Sequence, residues 1–338
     1  MNTLLDPALL FFVLGVFAGL LKSNLEVPAP LSRFLSLYLL MALGLKGGFA
    51  LAQTGFSSSI ATALACAVLL AVLVPLLDVQ WLKRRLAPHD AWAVAATYGS
   101  VSAVTFVTAT HILESAGTPA GGYMAAAMAL MESPALIIAI AAAHAVRRQT
   151  AGGVQTVSIG AGGSATLGGG APHHSLAPVL REAFTDGGTL LLLGALAIGL
   201  LTGSSGAAAM KPFTGDLFKG LLAFFLLDMG LLTARQLGGL RSQPLSLFAY
   251  ALIAPLLHAL LALTLARLAG VKQADGTLLA VLAASASYIA VPAVLRHAMP
   301  EAKASVYVGL SLGVTFPFNL IVGIPLYRAM AEAFGLPG

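Results

Sequence analysis

Apolar side chains run in blocks of about 20 residues along most of this chain, the length an α-helix needs to cross about 30 Å of hydrocarbon. The blocks fall at 4–22, 31–53, 57–78, 90–113, 120–146, 180–202, 213–236, 244–268, 275–298 and 304–328. Their continuity predicts about ten membrane-spanning helices and not the short alternating strands of a barrel. The composition agrees. Of the residues, 58% are hydrophobic and 9% charged, and the mean hydropathy is +0.91, against roughly 25% charged in soluble domains. The expected fold class is therefore an all-α integral membrane protein. No basic residue precedes the first block and no small-residue cleavage site follows it, so it reads as a retained span and not a signal peptide.

Two features break the apolar pattern in an ordered way. Residues 149–178, QTAGGVQTVSIGAGGSATLGGGAPHHSLAP, are rich in Gly, Ser, Thr and Ala and carry no charged side chain, the composition of a flexible linker. The linker separates an N-terminal unit (1–148) from a C-terminal unit (179–338), each with five expected spans. An odd number of spans per unit obliges the two to insert with opposite orientation. Sliding one unit over the other by 185 residues aligns Asp90 with Asp275, Ser100 with Ser285 and Ser102 with Ser287. A slide of 183 aligns Gly47 with Gly230 and Gln53 with Gln236. Matches in the same order at nearly constant offset predict a 5+5 inverted repeat with discontinuous helices at the midplane.

The second feature is the set of small and hydroxyl residues in mid-span: Gly99, Ser100, Ser102 and Thr105 in ATYGSVSAVTF, with Ser285 and Ser287 at the equivalent place. Inverted repeats place a solute site where interrupted helices from both halves meet, and backbone at that depth is interrupted only where protein or a water-filled cavity satisfies it. Freed N–H groups, hydroxyl donors and the positive ends of half-helices suit a small anion. The alternative for these residues is close helix packing by small side chains. Thr315 and Asn319 in GVTFPFN add polar groups beside a proline.

Three ionisable side chains lie near the centres of their spans: Lys46, Glu132 and Asp228. Each costs about 2.5–3.5 kcal/mol at a helix centre, so each needs a partner or a use. The repeat sets Lys46 and Asp228 at neighbouring equivalent positions, which predicts an ion pair or a shared hydrated cavity. Glu132 is then the surplus charge that a proton or sodium ion would neutralise. His111, His144, His258 and His297 read as satisfied polar residues, and His173 and His174 lie in the linker without other ligands.

The remaining charge speaks to orientation and excludes other classes. Lys83, Arg84, Arg85, Arg147 and Arg148 fall on one side of the expected topology, which puts both termini outside and the linker in the cytoplasm of a bacterial inner membrane. The formal net charge of +5 has no basic stripe interleaved with aromatics, so nucleic acid is not an expected partner. Cys66 stands alone, which excludes a disulfide within the chain and a cysteine metal site. No GxSxG or HExxH occurs, so no enzyme and no cofactor is expected.

The strings GLKGG, YGSVSAVTF, MESPAL, LIAPLLHA, AASASYIAVPAVLR and GLSLGVTFPFNLIVGIPLY, taken in order, resemble the sodium-dependent bicarbonate transporter family over essentially the whole chain. The resemblance implies a homotrimeric 5+5 permease whose fourth and ninth helices, supported by the fifth and tenth, hold bicarbonate and sodium. Carried across, the substrate residues are Gly99, Ser100, Ser102, Ser285 and Ser287, with Thr105, Thr315 and Glu132 nearby and sodium at Ser102 and Ser287. The chain departs from the family pattern at Tyr288, where members have an acidic residue, and in its charges at Lys46 and Asp228. The Lys46 ammonium is expected to stand in for one bound cation, leaving coupling to Glu132, Asp228, Tyr288 and Asn319 with sodium or a proton. Such members are regulated by a trimeric PII-like protein, for which the uncharged linker offers no attachment. A small carboxylate such as acetate, or a sensor without flux, is the alternative reading.

Overall fold

A computed structural model describes residues 6–55, 57–151, 187–240 and 243–337. The described residues are helical throughout, with no strand. The helices are α1 (Pro7–Leu20), α2 (Ala29–Thr54), α3 (Ser58–Leu82), α4 (Pro88–Gly99), α5 (Ala103–Ser115) and α6 (Met124–Ala151), followed by α7 (Gly187–Thr214), α8 (Asp216–Leu240), α9 (Leu245–Leu268), α10 (Gln273–Ala284), α11 (Ala290–Ala298) and α12 (Ala304–Ala333). Within the described residues the expected apolar blocks fall mainly on helix, with interruptions inside 90–113 and 275–298. Among the described residues seven stretches are long and apolar enough to cross a bilayer, counting Pro88–Ser115 as one, while α1 and α10 are shorter apolar helices. Most of the expected linker, with His173 and His174, lies outside the described residues.

Local chemistry explains where the helices begin. Proline occupies the first turn of α1, α2 and α4, where its fixed φ suits the helix and its missing N–H costs nothing. Asp6 caps α1, its Oδ1 accepting the Ala8 N–H at 2.9 Å. The long helix α7 is bent at Gly203, whose φ of 54° and ψ of −136° lie where a side chain would be strained.

Burial inverts between the periphery and the centre. Leu10, Phe11, Leu14 and Phe17 of α1 and Ile253 and Leu257 of α9 are exposed apolar side chains, the surface expected against lipid. Within Pro88–Ser115 nearly all of residues 90–113 are buried, and every residue of α10 from Asp275 to Ala284 is buried. The two short central helices are rich in alanine and threonine, which lets neighbours approach closely. Their threonines back-bond to their own helix: Thr97 Oγ1 donates to Ala93 O and Thr277 Oγ1 to Gln273 O, each at 2.8 Å.

Two close crossings tie the periphery together. A Cβ at Gly15 of α1 would overlap the Leu227 carbonyl of α8, and one at Gly230 of α8 would overlap the Phe12 carbonyl of α1. In the same way Gly48 of α2 abuts Leu196 of α7, and Gly199 of α7 abuts Leu45 of α2. Glycine is required at all four because the backbones themselves are in contact.

Candidate functional site

The fourth and ninth expected spans are both interrupted, and the interruptions meet. α4 stops at Gly99, where Ser100 turns to φ −97°, ψ 179°, and the chain resumes as α5 with Ser102 as its cap. α10 stops at Ala284, Ser285 turns to φ −83°, ψ 166°, and α11 begins at Ala290. A broken helix strands N–H and C=O groups at its new ends, which in a dry interior need partners.

Each break supplies partners for the other. The Ser102 N–H donates to Ser285 Oγ at 2.9 Å, and the Ser287 N–H donates to the Thr97 carbonyl at 2.8 Å. Ser285 Oγ in turn donates to Leu282 O at 2.8 Å, and the Val291 N–H reaches Ser287 Oγ at 3.3 Å. Ser102 Oγ accepts from the Thr105 N–H at 3.2 Å and from Thr105 Oγ1 at 2.9 Å. A cation on Ser102 Oγ would therefore require the Thr105 hydroxyl to turn away. Ser100 differs from all of these: it is 1% exposed and its Oγ has no hydrogen-bond partner among the described residues. A buried hydroxyl without a partner costs about 1–3 kcal/mol.

The other expected site residues divide. The space beside Gly99 is filled by the Pro75 ring of α3, so its missing side chain serves packing. Thr315 Oγ1 donates to Ala251 O at 2.8 Å and shares a 2.6 Å hydrogen bond with Tyr98 Oη. Asn319 Nδ2 donates to the Ala284 carbonyl at 2.8 Å and its Oδ1 accepts from Tyr327 Oη at 2.7 Å, so it finishes the end of α10. Tyr288 packs against Phe316, ring centroids 5.3 Å apart. Glu132 accepts from Thr189 Oγ1 of α7 at 2.8 Å.

The expected Lys46–Asp228 pair is not formed. Lys46 Nζ binds Glu114 Oε2 at 2.7 Å and lies 5.0 Å from the centroid of the Phe218 ring, whereas Asp228 accepts from Ser32 Oγ. Ser32 is 14 residues (46 − 32) before Lys46 on α2, and at 1.5 Å per residue that is about 21 Å, well beyond a lysine's reach. Lys46 and Glu114 instead line a cavity of about 310 Å³ whose walls include Phe106, Thr110, Gly121 and Leu278.

Reasoning from sequence alone missed three anchors. Asp90 Oδ1 accepts the Lys303 N–H at 2.7 Å, and Asp275 accepts the Gly121 N–H and the Tyr123 O–H, both at 2.6 Å. These two carboxylates, aligned by the 185-residue slide, each start a central helix and cap the chain leading into another. The third anchor is Asp78 with His258 and Tyr250, buried between α3 and α9. Residues 7–332 match the model of the Na+-dependent bicarbonate transporter superfamily, and the chain belongs to that family. It is accordingly a multi-pass membrane protein of a transporter class. No curated protein matches it.

Proposed function

We propose that this member of the Na+-dependent bicarbonate transporter superfamily carries bicarbonate, or a small anion of the same charge and shape, by cation-coupled symport through the crossing of its two broken helices. The carrying observation is the Ser100 hydroxyl, buried without a partner beside the start of α5. The first-turn N–H groups of α5 and the Ser100 O–H form a donor set for an oxyanion, and the positive end of a half-helix favours its charge. Sodium, named by the family, is assigned to hydroxyl and carbonyl oxygens around Ser102 and Ser287.

In this reading the halves 1–148 and 179–338 are inverted copies. Support comes from paired features. The Gly15–Gly230 crossing has its counterpart in Gly199–Gly48, and the Asp90–Lys303 cap has its counterpart in Asp275–Gly121. Alternating access is then rocking of one bundle against the other about the serine crossing. Both termini are assigned to the outside.

The test is uptake of labelled bicarbonate into proteoliposomes with sodium and pH gradients imposed separately. Accumulation driven by sodium is expected in the wild type and lost in Ser102→Ala and Ser287→Ala, both still monodisperse on gel filtration. Unchanged flux in both variants refutes the site, and competition by acetate at equal concentration would assign a carboxylate as the solute instead.

A further inference from the structure

Outside the serine crossing, one group of buried ionisable side chains has no place in the anion site. Asp78 lies near the end of α3 and His258 in the middle of α9, 6% and 4% exposed, and His258 Nε2 stands 2.9 Å from Asp78 Oδ1. Tyr250 Oη, two turns earlier on α9, donates to the other carboxylate oxygen at 2.7 Å. No lysine or arginine completes the cluster among the described residues. His258 Nδ1 has no partner at all among them.

The chemistry of such a group is that of a proton acceptor. With a neutral imidazole, Nε2–H donates to Asp78 and Nδ1 is left as a bare acceptor, while the interior holds one uncompensated negative charge. One proton on Nδ1 converts the pair into imidazolium and carboxylate, which cancel. Ionisable groups at membrane depth mark proton pathways. The other titratable groups on the packed elements do not supply the cancelling charge. Tyr98 of α4 is bonded to Thr315, Asp90 to Lys303 N–H, Asp275 to Gly121 and Tyr123, Glu132 of α6 to Thr189, and Tyr327 of α12 to Asn319. Arg85, beyond the end of α3, lies over the Trp81 ring at 4.8 Å.

The cluster also touches the elements that form the crossing. The Tyr250 ring packs 5.0 Å from Tyr98, the residue before Gly99, and Ala251, next to Tyr250, offers its carbonyl to Thr315 of α12. From this arrangement we infer that Asp78 and His258 form a proton-binding site, distinct from the serine crossing, whose proton is coupled to transport. The inference rests on the transporter reading above and adds a second coupling ion at a site of its own. Protonation changes the charge that holds α9 to α3, and α9 in turn holds α12 and abuts α4.

Two measurements on the full-length protein test it. In detergent, a pH-indicator dye should show the wild type taking up one more proton per chain than His258→Gln between about pH 8 and about pH 5. Glutamine keeps an N–H for Asp78 while removing the titrating ring. In proteoliposomes, the part of pH-driven bicarbonate accumulation that exceeds protein-free liposomes should be lost in His258→Gln, while accumulation driven by sodium survives. Tyr250→Phe, which leaves both members of the pair in place, should retain the proton uptake and so guards against a folding defect in the first variant. Equal proton uptake by wild type and His258→Gln overturns the proposal, as does equal pH-driven accumulation. Should the wild type accumulate bicarbonate under neither gradient, the transport reading falls, and the dye titration still decides whether the pair binds a proton.

Discussion

The two helix breaks are built from similar residues yet differ in how they are closed. The first, at Ser100–Ser102, is short and sealed: Val101 and Ser102 are each 3% exposed. The second, from Ser285 to Ile289, is longer and opens at its far end, where Ile289 is 58% exposed. Hydroxyl use is opposite as well. Ser285 Oγ is committed to the Ser102 N–H and the Leu282 carbonyl, whereas Ser100 Oγ is uncommitted. One break thus holds an uncommitted hydroxyl, and the other supplies bonds that tie the two breaks together. On the reading proposed above, Ser100 serves recognition and Ser285 scaffolding.

That division is open to attack, beginning with the largest effect. Ser100→Ala removes a hydroxyl without a hydrogen-bond partner among the described residues, so accumulation of bicarbonate should vanish while the melting temperature holds; a drop in melting temperature with intact transport would reverse the two roles. In a Cys66→Ala background, Ile289→Cys should react with a maleimide reagent and Val101→Cys should stay unlabelled, and equal labelling would erase the difference in closure. Ser285→Ala leaves the Ser102 N–H unpaired in a buried site, so it should lower stability by about 1–3 kcal/mol in denaturant titration as well as halting transport. Gly99→Ala forces a methyl against the Pro75 ring and should cost about 1–3 kcal/mol, recovered in part when Pro75→Ala makes room. The smallest effect is that of Lys46 with Glu114. Both are roughly a third exposed, so a double-mutant cycle should return a coupling of no more than about 1 kcal/mol, and Lys46 with Asp228 none.

The sequence made the breaks legible because glycine and paired serines are costly in an apolar span unless the helix stops there. The location of the crossing, and the pairing of residues 100–102 with 285–287, followed from the near-constant offset. The partners of the charges did not follow. The slide set Lys46 and Asp228 at neighbouring aligned positions, but alignment does not fix contact, and Lys46 meets Glu114 while Asp228 meets Ser32. Glu114 fell one residue beyond an expected span, and Asp78 at the last residue of another. His258 read as a polar residue already satisfied, yet one of its nitrogens is not. Asp78 and His258 stand 180 residues apart (258 − 78), and no local pattern joins them.

The last helix carries a feature whose reach extends beyond its own contacts. Between Val308 and Ile324, α12 widens twice into π-helical turns, at Gly309–Thr315 and Asn319–Gly323, around the short Phe316–Phe318 piece. A wide turn accommodates an extra residue and can migrate when carbonyls exchange one N–H for the next, at little cost in bonding. Both widened turns bear a side chain that reaches another helix, Thr315 to Ala251 of α9 and Asn319 to the Ala284 carbonyl of α10, so the loosened stretch of α12 is also the stretch that fastens it.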